Sequence, residues 1–216
     1  MLLVLLLSFV APVVLEPVFN RFRPLEDAEL SASLRALAER AGVPVSDVLV
    51  ADASRRTRKH NAYVSGIGST CRVVVFDTLL RDAERAELET VVAHELGHRR
   101  HRDVAKGTVL AMAGAVAAVL VAWPLDPTPR RIPLLLLAWG LLELATLPFS
   151  AACSRRLERR ADRFALELTR DAAAFRSAFV RLAKANLSDL DPPRLVYALL
   201  FTHPTPPERL AAAAAF

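Results

Sequence analysis

Apolar positions follow two different rhythms along this chain. In three stretches, 1–15, 107–125 and 132–153, they run on almost unbroken, and Glu143 is the one charge among them. Elsewhere they recur at regular spacing between charged residues. Residues 25–42 place Leu30, Leu34, Leu37 and Ala38 on one helical face and stop at Gly42, a good residue to follow a helix end. Residues 45–50 alternate and predict a strand. Two β-rich runs, 61–66 and 71–77, flank the turn residues Gly66 and Gly68 and predict a hairpin. A helix is predicted from an N-cap near Asp82 through Leu88, Val91 and Val92 toward residue 104. Two more are predicted over 154–170 and 172–186.

The unbroken runs set the class. Stretch 107–125 has about 19 residues and 132–153 about 22, enough at about 1.5 Å each to cross a hydrocarbon core of about 30 Å. Only the turn residues at 126–131 separate them, so they predict a transmembrane hairpin. Two buried core helices would give the same lengths, but uncharged runs of this length are rare in soluble folds. Stretch 1–15 is shorter. It lacks both a basic start and a small-residue cleavage site, so it predicts an anchor or a partial transmembrane helix rather than a signal peptide. Overall, 53% hydrophobic residues and a mean hydropathy of +0.30 exclude an ordinary cytosolic globule.

Charge then orients the chain. The net charge is +5, carried mostly by Arg. Arg99, Arg100, Arg102 and Lys106 precede the hairpin, Arg155, Arg156, Arg159, Arg160 and Arg163 follow it, and only Arg130 and Arg131 lie at its tip. The positive-inside rule puts residues 20–104 and 154–216 together on the cytoplasmic side of a plasma (inner) membrane. Because the Arg clusters abut apolar runs, they are expected to meet lipid head groups, and no nucleic-acid partner is expected. Cys71 and Cys153 make no disulfide framework.

One motif carries chemistry. His94-Glu95-Leu96-Gly97-His98 fits H-E-x-x-H within a predicted helix. Four residues turn a helix by about 400°, so the two imidazoles share a face about 6 Å apart along the axis and can ligate one Zn²⁺. Glu95, one step round, can serve as general base to a metal-activated water. A third protein ligand is needed. Glu158 and Asp162 share a face of the helix returning from the membrane, so one can bind metal while the other orients a ligand histidine. His101 shares the motif face but sits about 10 Å from His94, too far to join, and is expected to be a basic flank residue. Glu143 is costly against lipid and is expected to hydrogen-bond in protonated form inside a bundle or else to mark a polar substrate path.

Taken together, six stretches resemble the gluzincin membrane endopeptidases that include the CAAX prenyl proteases and the HtpX-type proteases. They are Phe19-Asn-Arg-Phe-Arg-Pro-Leu-Glu-Asp, Asn61-Ala-Tyr, Phe76-Asp-Thr-Leu-Leu, the HELGH helix, Ser154-Arg-Arg-Leu-Glu-Arg-Arg-Ala-Asp, and His203-Pro-Thr-Pro-Pro-Glu-Arg. The resemblance implies one zinc per chain on His94, His98 and Glu158, with Glu95 as base and Asp162 behind the ligands. It also implies that Asn61 and Ala62 lie on an edge strand that pairs with substrate backbone, and that His203 and Arg209 line the site, either one placed to stabilise an oxyanion. The expected fold is α+β and mainly helical: a zincin-like core with a small β-hairpin and an inserted transmembrane hairpin. The parts run 1–18 (anchor), 19–104 (protease with HELGH), 105–153 (membrane hairpin) and 154–216 (protease with the third ligand). The family's CAAX branch has further upstream membrane helices enclosing a chamber. Three segments cannot build one, so the expectation is a different substrate route, a homo-oligomer, or a Met1 internal to a longer gene. The expected function is an integral-membrane zinc endopeptidase acting on peptides or proteins, either CAAX-processing-like or in membrane-protein quality control. Its alternative is a silent zinc-binding scaffold, against which an intact Glu95 argues.

Overall fold

The computed structural model describes residues 18–66, 68–122 and 128–216. The apolar stretch 1–15 and the start of the hairpin tip, 123–127, lie outside the described residues. Four short strands form one sheet: β1 (Phe22–Pro24), β2 (Asp47–Ala51), β3 (Ala62–Ser65) and β4 (Arg72–Phe76), in the order β1-β2-β4-β3. The expected hairpin is the antiparallel β3–β4 pair, with Ala62 opposite Val75 and Val64 opposite Val73. Its turn needs Gly66, at φ +87°, because a Cβ there would lie 2.1 Å from the Thr70 carbonyl oxygen. β2 lies parallel to β4, and β1 closes the far side antiparallel to β2, so β3 is left as an edge.

The sheet's apolar face packs on two helices. Helix α1 (Ala28–Arg40) starts where the Asp27 carboxylate accepts from the Leu30 N–H, and it buries the predicted Leu30, Leu34, Leu37 and Ala38. A short α2 (Asp77–Asp82) follows β4, so the next helix starts later than its composition predicts. This is α3 (Arg85–Arg100), opened by a reciprocal Glu84–Glu87 capping box. Glu87 is fully buried. It also accepts from Ser177 and from Arg181 Nε (2.7 Å), fastening the start of α3 to a later helix.

At the end of α3 the chain turns through Arg102, a left-handed residue at φ +56°, into α4 (Asp103–Ala122). After the tip, α5 runs unbroken for 38 residues, Ile132–Thr169, where the sequence predicts a membrane segment and a separate helix. Helices α4 and α5 are long and apolar enough to cross a membrane, and their apolar stretches are almost wholly unburied. Helix α6 (Ala172–Ala185) is capped by Asp171 and sends Phe175 and Phe179 into the core. Two short helices, α7 (Arg194–Leu200) and α8 (Pro206–Ala214), complete the chain. The α+β, mainly helical architecture with an inserted apolar hairpin is the one read from the sequence. Both cysteines are free.

Candidate metal centre

Helices α3 and α5 cross at Gly97, the glycine inside HELGH. A Cβ there would lie 3.1 Å from the Phe164 ring and 3.3 Å from the Ala161 Cα, so the bare glycine lets the two backbones close up. That approach lays Glu158, on α5, over the two histidines of α3. His94 Nε2 and His98 Nε2 face each other at 3.1 Å, and the Glu158 oxygens stand 3.4 Å from the first and 3.2 Å from the second. One ligand atom from each of the three lies within 4.8 Å of the others.

The opposite ring nitrogens are also engaged. Asp162 Oδ1, one turn along α5, lies 2.9 Å from His94 Nδ1, an ion-pair contact whose angles fall short of a hydrogen bond. Asp103 Oδ2, the first residue of α4, lies 2.9 Å from His98 Nδ1, and Asp103 is itself held by Arg160. A carboxylate behind each imidazole fixes the ring and raises its basicity, the usual arrangement around a histidine that binds metal. Two imidazole nitrogens and one carboxylate are also the donor set of a catalytic zinc site. The residues fit the metal.

Electrostatics point the same way. Burial resists charging His94, yet the Asp162 and Glu158 carboxylates carry it up to about 9, so the cluster draws in positive charge. Burial likewise opposes ionisation of Glu158, but hydrogen bonds from His94 and His98 take it well below the ordinary carboxylate range. Glu95 is the exception. It sits beside the two rings without touching the carboxylate pair, and burial pushes it up toward neutrality.

Arg209, on α8, is buried between the carboxylates. It donates to Glu158 Oε2 (2.6 Å) and Asp162 Oδ1 (3.1 Å), and its guanidinium lies over the Phe179 ring. His203, on the loop before α8, is exposed, with Nε2 3.5 Å from Glu158 Oε1. Partial desolvation, with the positive charge of Arg209 nearby, lowers it from the ordinary histidine value. Asn61 and Ala62 lie at the start of the edge strand β3. A cavity of about 670 Å³ joins that edge to the histidines. His101 caps α3 through Nδ1 and the Gly97 carbonyl, its ring against Phe164 and away from the cluster.

Sequence reasoning overlooked Asp103. Its approach depends on the left-handed turn at Arg102, which no local pattern announces. It also passed over α8, although Thr205-Pro-Pro-Glu208 carries both signs of a helix start, a capping box and proline in the first turn.

The profile of peptidase family M48 matches residues 24–216. The chain belongs to peptidase family M48. It is 34% identical to an uncharacterized metalloprotease, YhfN, of Bacillus subtilis, over 95% of this chain and 52% of that protein. It is 31% identical to a CAAX prenyl protease 1 homolog of Arabidopsis thaliana, over 98% of this chain and 53% of that one. The crystal structure of S. mikatae Ste24p superposes with a TM-score of 0.88 at 26% identity, over 98% of this chain and 56% of that one. The chain thus spans about half the length of these relatives, and its fold matches that of Ste24p across that span.

Proposed function

We propose that this M48 chain is a zinc-dependent membrane endopeptidase that binds one Zn²⁺ on His94, His98 and Glu158. The observation that carries the reading is the convergence of those three donors beside a half-buried carboxylate, Glu95, that takes no part in the cluster's ion pairs. Zinc held there supplies a Lewis acid for the scissile carbonyl and lowers the pKa of water. Glu95 Oε takes the proton of the attacking water and delivers it to the leaving amine nitrogen. Its upward shift brings it closer to the working pH, where a base of this kind is most effective. Asp162 and Asp103 hold the two rings in position. Arg209 donates to both Glu158 and Asp162, so its role is to hold the two carboxylates in position. That leaves His203 for the oxyanion. Its Nδ1 lies 2.9 Å from the Thr202 hydroxyl, and a ring proton carried on Nε2 would face the site.

The substrate is an extended peptide, paired with the edge of β3 at Ala62, with Asn61 beside it. The relatives named CAAX prenyl protease 1 make C-terminal processing of lipid-modified peptides the first substrate class to test. The unburied apolar stretches of α4 and α5 support insertion as a hairpin, and the flanking Arg residues support a site on the cytoplasmic face. The experiment is Glu95→Gln. It should lower peptidase activity by a factor on the order of 10² to 10⁴ while one zinc per chain remains bound. Activity at the native level would return the chain to the scaffold reading.

A further inference from the structure

The edge of β3 is not open along its whole length. The Phe76 N–H donates to the Asn61 carbonyl (3.0 Å), which makes Asn61 and Phe76 a hydrogen-bonded pair of the β3–β4 ladder. In an antiparallel ladder such pairs alternate, so Tyr63 and Val74 form the next one. The backbone groups of His60, Ala62 and Val64 therefore point the other way, toward the free edge. At His60 that direction is already filled. The Asn186 side chain accepts from the His60 N–H through Oδ1 (2.9 Å) and donates to the His60 carbonyl through Nδ2 (3.1 Å). A side-chain amide has the donor and acceptor of a peptide unit, and here both are used on one residue, as a neighbouring strand would use them.

Both partners are held in place. Asn186 ends α6, where the chain turns through left-handed Leu187 at φ +53°, with the Ser188 N–H donating back to the Ala183 carbonyl. The buried His60 ring is tied on its other side to Asp82, Nε2 to Oδ2 at 3.0 Å. Asn186, His60 and Val64 line the same cavity as His94 and Glu95.

We propose that Asn186 closes one end of the substrate-binding edge, so that an extended peptide pairs with Ala62 and Val64 and is stopped from pairing with His60. The amide acts as a strand end built into the enzyme, and it sets the register in which the peptide reaches Glu95. This rests on the edge-strand reading of substrate binding above. Asn186 is a positioning residue. It touches the strand that holds the substrate rather than the reacting bond.

The test uses a decapeptide that the native enzyme cleaves, bound to the Glu95→Gln protein, with each peptide amide N-methylated in turn. Methylation at two amides, two residues apart, should weaken binding about five- to tenfold each, the worth of one hydrogen bond. In Glu95→Gln with Asn186→Ala, a third amide two residues further along should become sensitive, as His60 is released. Hydrogen exchange in the Glu95→Gln protein gives an answer without the second substitution. Adding the peptide should slow the amides of Ala62 and Val64 and leave that of His60 unchanged. The same two sensitive amides with and without Asn186, or a His60 amide that slows along with its neighbours, would overturn the closing role of Asn186. Binding insensitive to methylation at every position would instead overturn the edge-strand reading itself.

Discussion

The two halves of α5 obey opposite rules. In the first, Leu136 is 67% exposed and Leu141 58%, and no side chain in the described structure covers them. In the second, Glu158 is 8% exposed and Asp162 3%, while solvent-facing positions go to Arg156 and Arg159. Leucine out and carboxylate in reverses the ordinary distribution of residues, and each inversion has its own cause. Leucines can face outward at no cost if the medium is hydrocarbon. Carboxylates can be buried if fixed positive charge meets them, here Arg209 and the two imidazoles. One continuous helix thus couples the proposed membrane anchor to the candidate metal centre. Pro148 lies within α5 without ending it, so the hairpin and Glu158 stand on the same helix.

Charging the apolar half should break the comparison most severely. Leu141→Arg places a cation near the middle of the proposed membrane stretch and should cost about 3 kcal/mol of insertion. Alkaline extraction of membranes should then release a larger share of the variant than of the native chain. Glu158→Gln, on the same helix, should leave extraction unchanged.

In the second half the carboxylates act through their partners. Asp103→Asn removes the charge behind His98, and zinc affinity should fall about 10- to 100-fold with the three ligands intact. Titration against a chromophoric chelator would read it. Acid should act in the same direction. His94 without metal holds its proton up to about 9, so metal must displace that proton, and affinity should fall as the pH is lowered below 9.

The smallest effect concerns Glu87, which is buried and ionised but lies outside the cluster. Its carboxylate is held below the ordinary range. Burial opposes ionisation, but Arg181 and Ser177 prevail. A lowered folded pKa stabilises above the unfolded value near 4.5 and loses that contribution as pH falls through the folded one. Glu87→Gln should therefore cost roughly 1–2 kcal/mol at pH 7, and the gap in melting temperature from the native protein should narrow as the pH falls below about 4.5.

What the sequence made legible follows the range of the interactions. HELGH, the helical face of Leu30, Leu34 and Leu37, the β-hairpin and the apolar runs of α4 and α5 are local patterns, and each stands in the structure near where its pattern lies. Alternation at residues 45–50 marks a strand but cannot name its partner, so the parallel pairing of β2 with β4 and the addition of β1 were invisible. The continuity of α5 was hidden because the change of environment near Cys153 looks, in a hydropathy pattern, like the end of an element. Glu158 and Asp162 could be narrowed to a pair by their shared face. Asp103 could not be found at all, since only the turn at Arg102 brings it back to His98.

The central claim is that α3 and the second half of α5 together hold one metal ion. Metal analysis of the purified Glu158→Ala protein tests it most directly, because HELGH remains whole. The native chain should carry one zinc and the variant should lose it on dialysis while keeping its helical circular dichroism. Undiminished zinc in the folded variant would remove Glu158 from the site and contradict the account.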